Sequence, residues 1–374
     1  MKKLRVLHIL NSKAYSGAEN VVVSIITSLK TDYEFAYESP DGPIRETLKD
    51  KGIIFYPVKE TSPIEIKRVI EAFHPDVIHA HDYTAGIAAV LTFTNIPIIN
   101  HLHNNSPWLR KIGTKSIVYG ICAYRVTKIL TVSDSIMDEY VFGGHFKGKT
   151  EVVGNPIDIN KIRIMAGMRN EDDIEFVRTT QKKYDLVFLG RETPPKNPLR
   201  LLRLVCLIKE AFGQGIENNG IENSLGHTLR IVMIGSGEMH DQITQEISRL
   251  GLEDNVIRLG FQENPYKYLK EAKVMLMPSS WEGFGLAAVE ALALGIPVVA
   301  SPVGGLKNII TSQCGKLCNT DEEFVFESSK LLTDNNYYIE KSKEAVMRAY
   351  YLDNSESYMN KIARIYKECL YYAR

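Results

Sequence analysis

The stretch SSWEGFGLAAVEALALGIPVVAS, residues 279–301, decides the fold. The apolar run KVMLMP (273–278) precedes it and reads as a buried strand. The chain then breaks into a loop holding Trp281, Glu282, Gly283, Phe284 and Gly285. A helix is expected from about Leu286 to Leu294; Gly295 stops it and Pro297 opens the next strand. Glycines at 283 and 285 let backbone approach a ligand without side-chain collision. The helix N-terminus behind them offers free N–H groups and a partial positive charge, which suits a diphosphate.

Outward from this unit the same alternation of short apolar runs and amphipathic helices fills the chain, the mark of parallel sheets covered on both faces. Strand candidates upstream are 5–10, 34–38, 52–58, 76–80, 97–101, 128–133 and 151–155, with helical stretches at 17–30, 62–73 and 84–94. A second series runs through 184–190, 229–235, 255–260, 273–279 and 297–301. Between them residues 160–184 turn polar and charged, which marks a linker. At 374 residues two domains are expected. The expectation is an α/β protein of two doubly wound, Rossmann-like parallel-sheet domains facing across a cleft, residues 1–165 and 180–353. GQGIENNGIENSLG (213–226) repeats Gly-Ile-Glu-Asn and reads as an extended surface loop. Residues 354–374 read as one amphipathic helix, and a family resemblance carried by residues 282–290 implies that it crosses back to the first domain.

Composition excludes several classes. Forty-five basic residues balance 45 acidic ones, so nothing pulls the chain as a whole toward nucleic acid. No apolar run approaches the roughly 18–20 residues of a membrane span. MKKLRVLHIL starts with charge like a signal peptide, yet it lacks a cleavage site and reads as a first strand. Five scattered cysteines make no disulfide framework, and Cys314 and Cys318 have no second pair to complete a zinc site. A cytoplasmic protein is expected.

Two carboxylates, Glu282 on the loop and Glu290 in the helix, flank the anion site. They would repel the ligand unless each binds hydroxyl groups, which a nucleotide sugar supplies on either side of its diphosphate. Here the sequence resembles the family-four retaining glycosyltransferases of the GT-B fold, marked by two glutamates in an E-G-F-G-L-x-x-x-E context. The resemblance implies that Glu290 binds the ribose, Glu282 the donor sugar, and backbone near Phe284, Gly285 and Leu286 the sugar and phosphate. It also places Arg191 and Lys196 on the phosphates, in a pattern interrupted by Pro194-Pro195. Gly235 and Gly237 of IGSGE and Phe261 of RLGFQEN would lie beside the base.

In the first half NSKAYSGAEN resembles the family's G-G-x-E loop, with Gly17 and Glu19 retained and Ser16 in place of the first glycine. Histidines 79, 81, 101 and 103 cluster at strand ends, and His103 best matches the histidine that touches the donor sugar. TVSDS (131–135) and VVGNPID (152–158) match further segments, Pro156 replacing a glycine. Between residues 101 and 133 five basic and no acidic residues interleave with apolar ones. That stretch suggests contact with anionic lipid headgroups or with a phosphorylated acceptor.

The expected reaction moves a hexose-type sugar from a nucleotide sugar, expected to be a UDP-sugar, to a glycan or lipid-linked saccharide in bacterial surface polysaccharide synthesis. No cofactor or metal is expected. The two glutamates stand too far apart to work as a glycosidase pair, about 12 Å if both were helical. Arg191, Lys196 and the helix N-terminus would therefore stabilise the leaving diphosphate electrostatically. A non-catalytic nucleotide-sugar-binding subunit and a sugar-nucleotide epimerase of the same fold are the alternatives; a phosphorylase would need a pyridoxal phosphate lysine, for which no context is seen.

Overall fold

The computed structural model describes residues 3–13, 17–169, 182–213 and 226–371. Ser16, residues 170–181 of the expected linker and the Gly-Ile-Glu-Asn repeat lie outside the described residues. The chain forms two compact units, one of residues 1–156 with 354–374 and one of 157–353.

The first unit is built on seven parallel strands: β1 (Leu4–Ile9), β2 (Tyr33–Pro40), β3 (Ile54–Val58), β4 (Val77–His81), β5 (Ile98–Leu102), β6 (Lys128–Thr131) and β7 (Thr150–Val152). They lie in the order β3-β2-β1-β4-β5-β6-β7. Central strands are covered on both faces, so every residue of β4 and β5 is buried. The helix Gly17–Leu29 turns Val22, Ile25, Ile26 and Leu29 onto the sheet. Pro63 opens the helix Pro63–Phe73, whose Ser62 side chain accepts a hydrogen bond from the Glu65 N–H, and His74 ends it in a left-handed conformation. The last helix, Ser355–Tyr371, buries Tyr358, Met359, Ile362, Ile365, Tyr366 and Cys369 in the same core as Val6, Val22 and Phe35. That one-sided spacing is what the sequence shows.

The second unit has six parallel strands: β8 (Tyr184–Leu189), β9 (Ile231–Ile234), β10 (Val256–Gly260), β11 (Ala272–Met277), β12 (Val298–Ala300) and β13 (Gly315–Leu317). Their order is β10-β9-β8-β11-β12-β13. The edge strand β13 is not anticipated from sequence, because Gly315-Lys316-Leu317 holds no apolar run. The domain boundary also needs correction. Residues 157–165 belong to the second unit, where Ile157, Ile159, Ile162 and Ala166 pack with Leu269, Ala288 and Leu292. Asp158 caps the helix Ile159–Ala166 by accepting from the Lys161 N–H at 2.8 Å. The charged run after residue 169 drew the expected boundary too late.

In each sheet the strand order reverses beside the first strand of the unit, β1 or β8, and ligands of such sheets bind at the carboxyl ends of the strands there.

Candidate active site

In the second unit the loops after β8 and β11 flank this reversal. Met277 ends β11, and the chain loops to Gly285, the residue before the helix Leu286–Ala293. Gly285 has φ 105°, and a Cβ there would lie 2.7 Å from Leu306 Cδ2, so this entry needs glycine twice over. No side chain caps that helix end, and its first N–H groups therefore lack intrahelical acceptors. Gly304 and Gly305, which sequence reading passed over, back this loop: a Cβ on either would collide with the backbone of Glu282 or Phe284. The adjacent glycines in SPVGG were the available signal.

Lys196 organises the charges. It ends a short 3-10 turn, Pro194–Lys196, after which Asn197 adopts a left-handed conformation and the helix Pro198–Gly213 begins. The Pro194-Pro195 pair thus forms the turn that presents the lysine, and Ser280 N–H donates to the Pro195 carbonyl at 2.8 Å, tying both loops together. The Lys196 ammonium pairs with Glu282 Oε1, which also accepts from the Ser279 hydroxyl at 3.0 Å. Glu290 accepts from the Tyr266 hydroxyl at 3.0 Å. Burial raises the Glu290 pKa, and the Tyr266 bond and the Lys196 charge oppose that rise. One cation therefore acts on both glutamates beside an uncapped helix N-terminus.

The other expected contacts of the second unit differ in exposure. Arg191 is exposed and makes no ion pair among the described residues. Phe284 and Leu286 are half-buried, and Phe261 is exposed on the loop after β10. Gly235 and Gly237 lie where the loop after β9 presses on the loop after β8, since a Cβ would sit 2.0 Å from Gly190 O or 2.3 Å from Glu192 O. Glu192, another residue that sequence reading missed, locks these loops. It is buried, binds the Arg258 guanidinium through both oxygens at 2.8 Å, and its backbone N–H donates to Ser236 O. An acid in a polar loop gives no sequence sign that it will be buried.

In the first unit Gly17 begins its helix and is exposed, while Glu19 one half-turn on is buried. The four expected histidines gather, and His8 of β1 joins them through the parallel register that sets His8 beside His79 and His81 beside His101. His101 and His103 stack with ring centroids 4.2 Å apart, and His79 and His81 at 4.3 Å. Burial pushes the His8 pKa down to about 3 and that of His103 to about 4, the Glu19 charge opposing the latter. His79, His81 and His101 are also pushed well below the usual range, so all five rings are neutral near pH 7. The nitrogens of His8, His79 and His81, and those of His81, His101 and His103, lie within 4.8 Å of one another. His103, just past β5, is the half-buried member, and its backbone N–H donates to Asp82 Oδ1 at 2.9 Å.

Comparison with known proteins follows the same division. A family model described as "Glycosyltransferase Family 4" matches residues 15–161, and one described as "Glycosyl transferases group 1" matches residues 170–350. An uncharacterized glycosyltransferase of Methanocaldococcus jannaschii is 24% identical over 74% of this chain and 71% of its own length. A UDP-Gal:alpha-D-GlcNAc-diphosphoundecaprenol alpha-1,3-galactosyltransferase of Escherichia coli is 23% identical over 83% of this chain and 82% of its own. Among solved structures, Anabaena HepE in complex with UDP-glucose superposes with a TM-score of 0.79 at 20% identity, covering 98% of this chain and 100% of that one.

Proposed function

This chain belongs to the family-four glycosyltransferases of the GT-B fold, and from that premise we propose that it transfers a hexose-type sugar from a UDP-sugar with retention of configuration. The acceptor is a hydroxyl of a glycan or lipid-linked saccharide in surface polysaccharide synthesis. The observation that carries this reading is Lys196 acting on both Glu282 and Glu290 at the open end of the helix Leu286–Ala293. In it the ribose hydroxyls replace Tyr266 as partners of Glu290, and the sugar hydroxyls meet Glu282. Lys196, Arg191 and the helix N-terminus then take up the charge that develops on the leaving diphosphate. Gly235, Gly237 and Phe261 border the base. Retention follows if the acceptor hydroxyl attacks the face that the diphosphate leaves. A UDP-sugar and a lipid-linked acceptor are supported by the activity of the Escherichia coli relative, and the UDP-sugar also by the ligand in the Anabaena structure.

The reading is tested with a panel of UDP-, GDP- and ADP-sugars, followed by thermal shift and by turnover. A UDP-sugar should stabilise the protein most and be consumed in the presence of EDTA. Glu290→Ala should weaken UDP binding by about 1.5–3 kcal/mol in calorimetry, the range for losing charged hydrogen bonds. Binding without any transfer or hydrolysis would favour the non-catalytic subunit instead.

Peripheral contact with an anionic membrane belongs to the same proposal. The helix Thr114–Ala123 buries Tyr119, Cys122 and Ala123 yet exposes Ile117, Val118 and Ile121, with Ile112 and Tyr124 exposed at its ends. Lys111, Lys115 and Arg125 rim this face and are exposed. Apolar residues within a basic rim suit a headgroup layer better than open water. No described helix is long and apolar enough to cross a membrane.

A further inference from the structure

The histidines of the first unit form more than a packed cluster. His8 Nδ1 lies 2.9 Å from His81 Nε2, and His81 Nδ1 lies 2.9 Å from His103 Nε2. At the inner end the Tyr366 hydroxyl lies 3.4 Å from His8 Nε2 and 2.8 Å from His79 Nδ1. These contacts make one unbranched chain, His79–Tyr366–His8–His81–His103. A neutral imidazole has one N–H and one lone pair, so each ring donates on one side and accepts on the other. An arrangement in which the Tyr366 oxygen accepts from both His79 and His8 would strand its own O–H in the interior, so the chain has two polarities in which every link is used. In the first, protons point inward: His103 Nε2–H donates to His81, His81 to His8, His8 to the Tyr366 oxygen, and Tyr366 O–H to His79 Nδ1. His79 Nε2 must then carry its proton, and that buried atom has no partner among the described residues. In the second, His79 Nδ1–H donates to Tyr366, Tyr366 to His8 Nε2, His8 Nδ1–H to His81, and His81 Nδ1–H to His103 Nε2. His79 Nε2 is then a bare lone pair, and His103 carries its proton on Nδ1.

The second polarity is favoured because a stranded N–H in a protein interior is rarer and more costly than an under-used acceptor. We infer that Tyr366, acting through His8 and His81, is a positioning residue that holds His103 as its Nδ1–H tautomer. His103 then presents a hydrogen-bond donor, suited to an oxygen of a sugar, without becoming charged. The consequence for catalysis rests on the reading of His103 as a donor-sugar contact; the tautomer itself does not.

The test is a two-bond 1H–15N correlation spectrum of the full chain carrying 15N-labelled histidine. His103 should show a protonated Nδ1 and a bare Nε2. Tyr366→Phe keeps the ring and its packing but removes the hydroxyl, and should convert that single tautomer into a mixture. His81→Phe should do the same from the middle of the chain. A proton on Nε2 of His103 in the unsubstituted protein overturns the inference whether or not the variants fold, and so does an unchanged tautomer in both. Stoichiometric uptake of Co²⁺ with the visible absorption of a tetrahedral site overturns it too, since metal-bound nitrogens cannot carry the chain. With the nucleotide sugar that gives turnover in the panel above, Tyr366→Phe should lower kcat about three- to tenfold, the size of one lost hydrogen bond, at unchanged donor KM. A changed tautomer with unchanged kcat would leave the chain standing and remove His103 from the donor.

Discussion

Lys196 is the residue on which the donor-side charges depend. Without it, Glu282 would keep Ser279 as a partner but would face burial as an unpaired carboxylate. If the ammonium serves chiefly the departing diphosphate, Lys196→Ala should lower kcat about 100-fold while changing donor KM by less than about fivefold. Equal losses in both, measured by steady-state kinetics, would make Lys196 a ground-state anchor. Glu38 on β2 is a different case. It is wholly buried, neither carboxylate oxygen has a partner among the described residues, and burial pushes its pKa up to about 8. Unfolded, it would ionise near the ordinary glutamate value of about 4.3. Between roughly pH 4.5 and 8 the folded state holds the extra proton, so this group's contribution to stability falls as pH rises through that window. The buried histidines act in the opposite sense: their depressed pKa values make the fold lose stability as pH drops below about 6.5. Glu38→Gln separates the two. Its melting temperature should match the unsubstituted protein near pH 5 and exceed it near pH 9, by up to a few kcal/mol of stability. An equal difference at both pH values in calorimetry would show that Glu38 is not protonated in the fold.

At the level of elements, what could be read from sequence follows from length and periodicity. The helix at Ser355–Tyr371 was legible because Tyr358, Ile362, Ile365 and Cys369 repeat on one face over several turns. The glycine-flanked turn into Leu286–Ala293 was legible because glycine and proline punctuate it. By contrast β13, Gly-Lys-Leu, holds no apolar run, and residues 157–165 read as part of the first unit because the charged run beyond them outweighs their own apolar spacing. His8 looked like one polar residue within an apolar strand; only the register of β1 beside β4 brings it to His79 and His81. Glu192 needed Arg258, 66 positions away, to justify its burial. Since the last helix completes the first unit's core, Ile362→Ala should cost about 2–5 kcal/mol there. Scanning calorimetry should show the loss in one of two transitions, with the second unit's unmoved; a shift of both would mean that the units unfold together.

For the molecule as a whole, the even balance of 45 basic and 45 acidic residues conceals a local bias, since residues 101–133 carry no acid. If that surface meets anionic headgroups, Ile117→Asp with Ile121→Asp should reduce flotation with phosphatidylglycerol vesicles about tenfold or more. Both side chains point outward, so hydrolysis of the free nucleotide sugar should be unchanged. Flotation of the double variant at the original level would exclude this face.

The division of the chain into residues 1–156 with 354–374, around 157–353, also bears on how the protein is made. Domains usually fold as they leave the ribosome, the N-terminal one first. Here the seven-stranded sheet emerges before the second unit, but the helix Ser355–Tyr371, which packs with Val6, Tyr33 and Phe35, emerges after it. The second unit is complete while the first still waits for that helix with part of its apolar face open. Nascent chains of this protein thus hold an open apolar surface while residues 157–353 are made, and of the two units the one begun first is completed second.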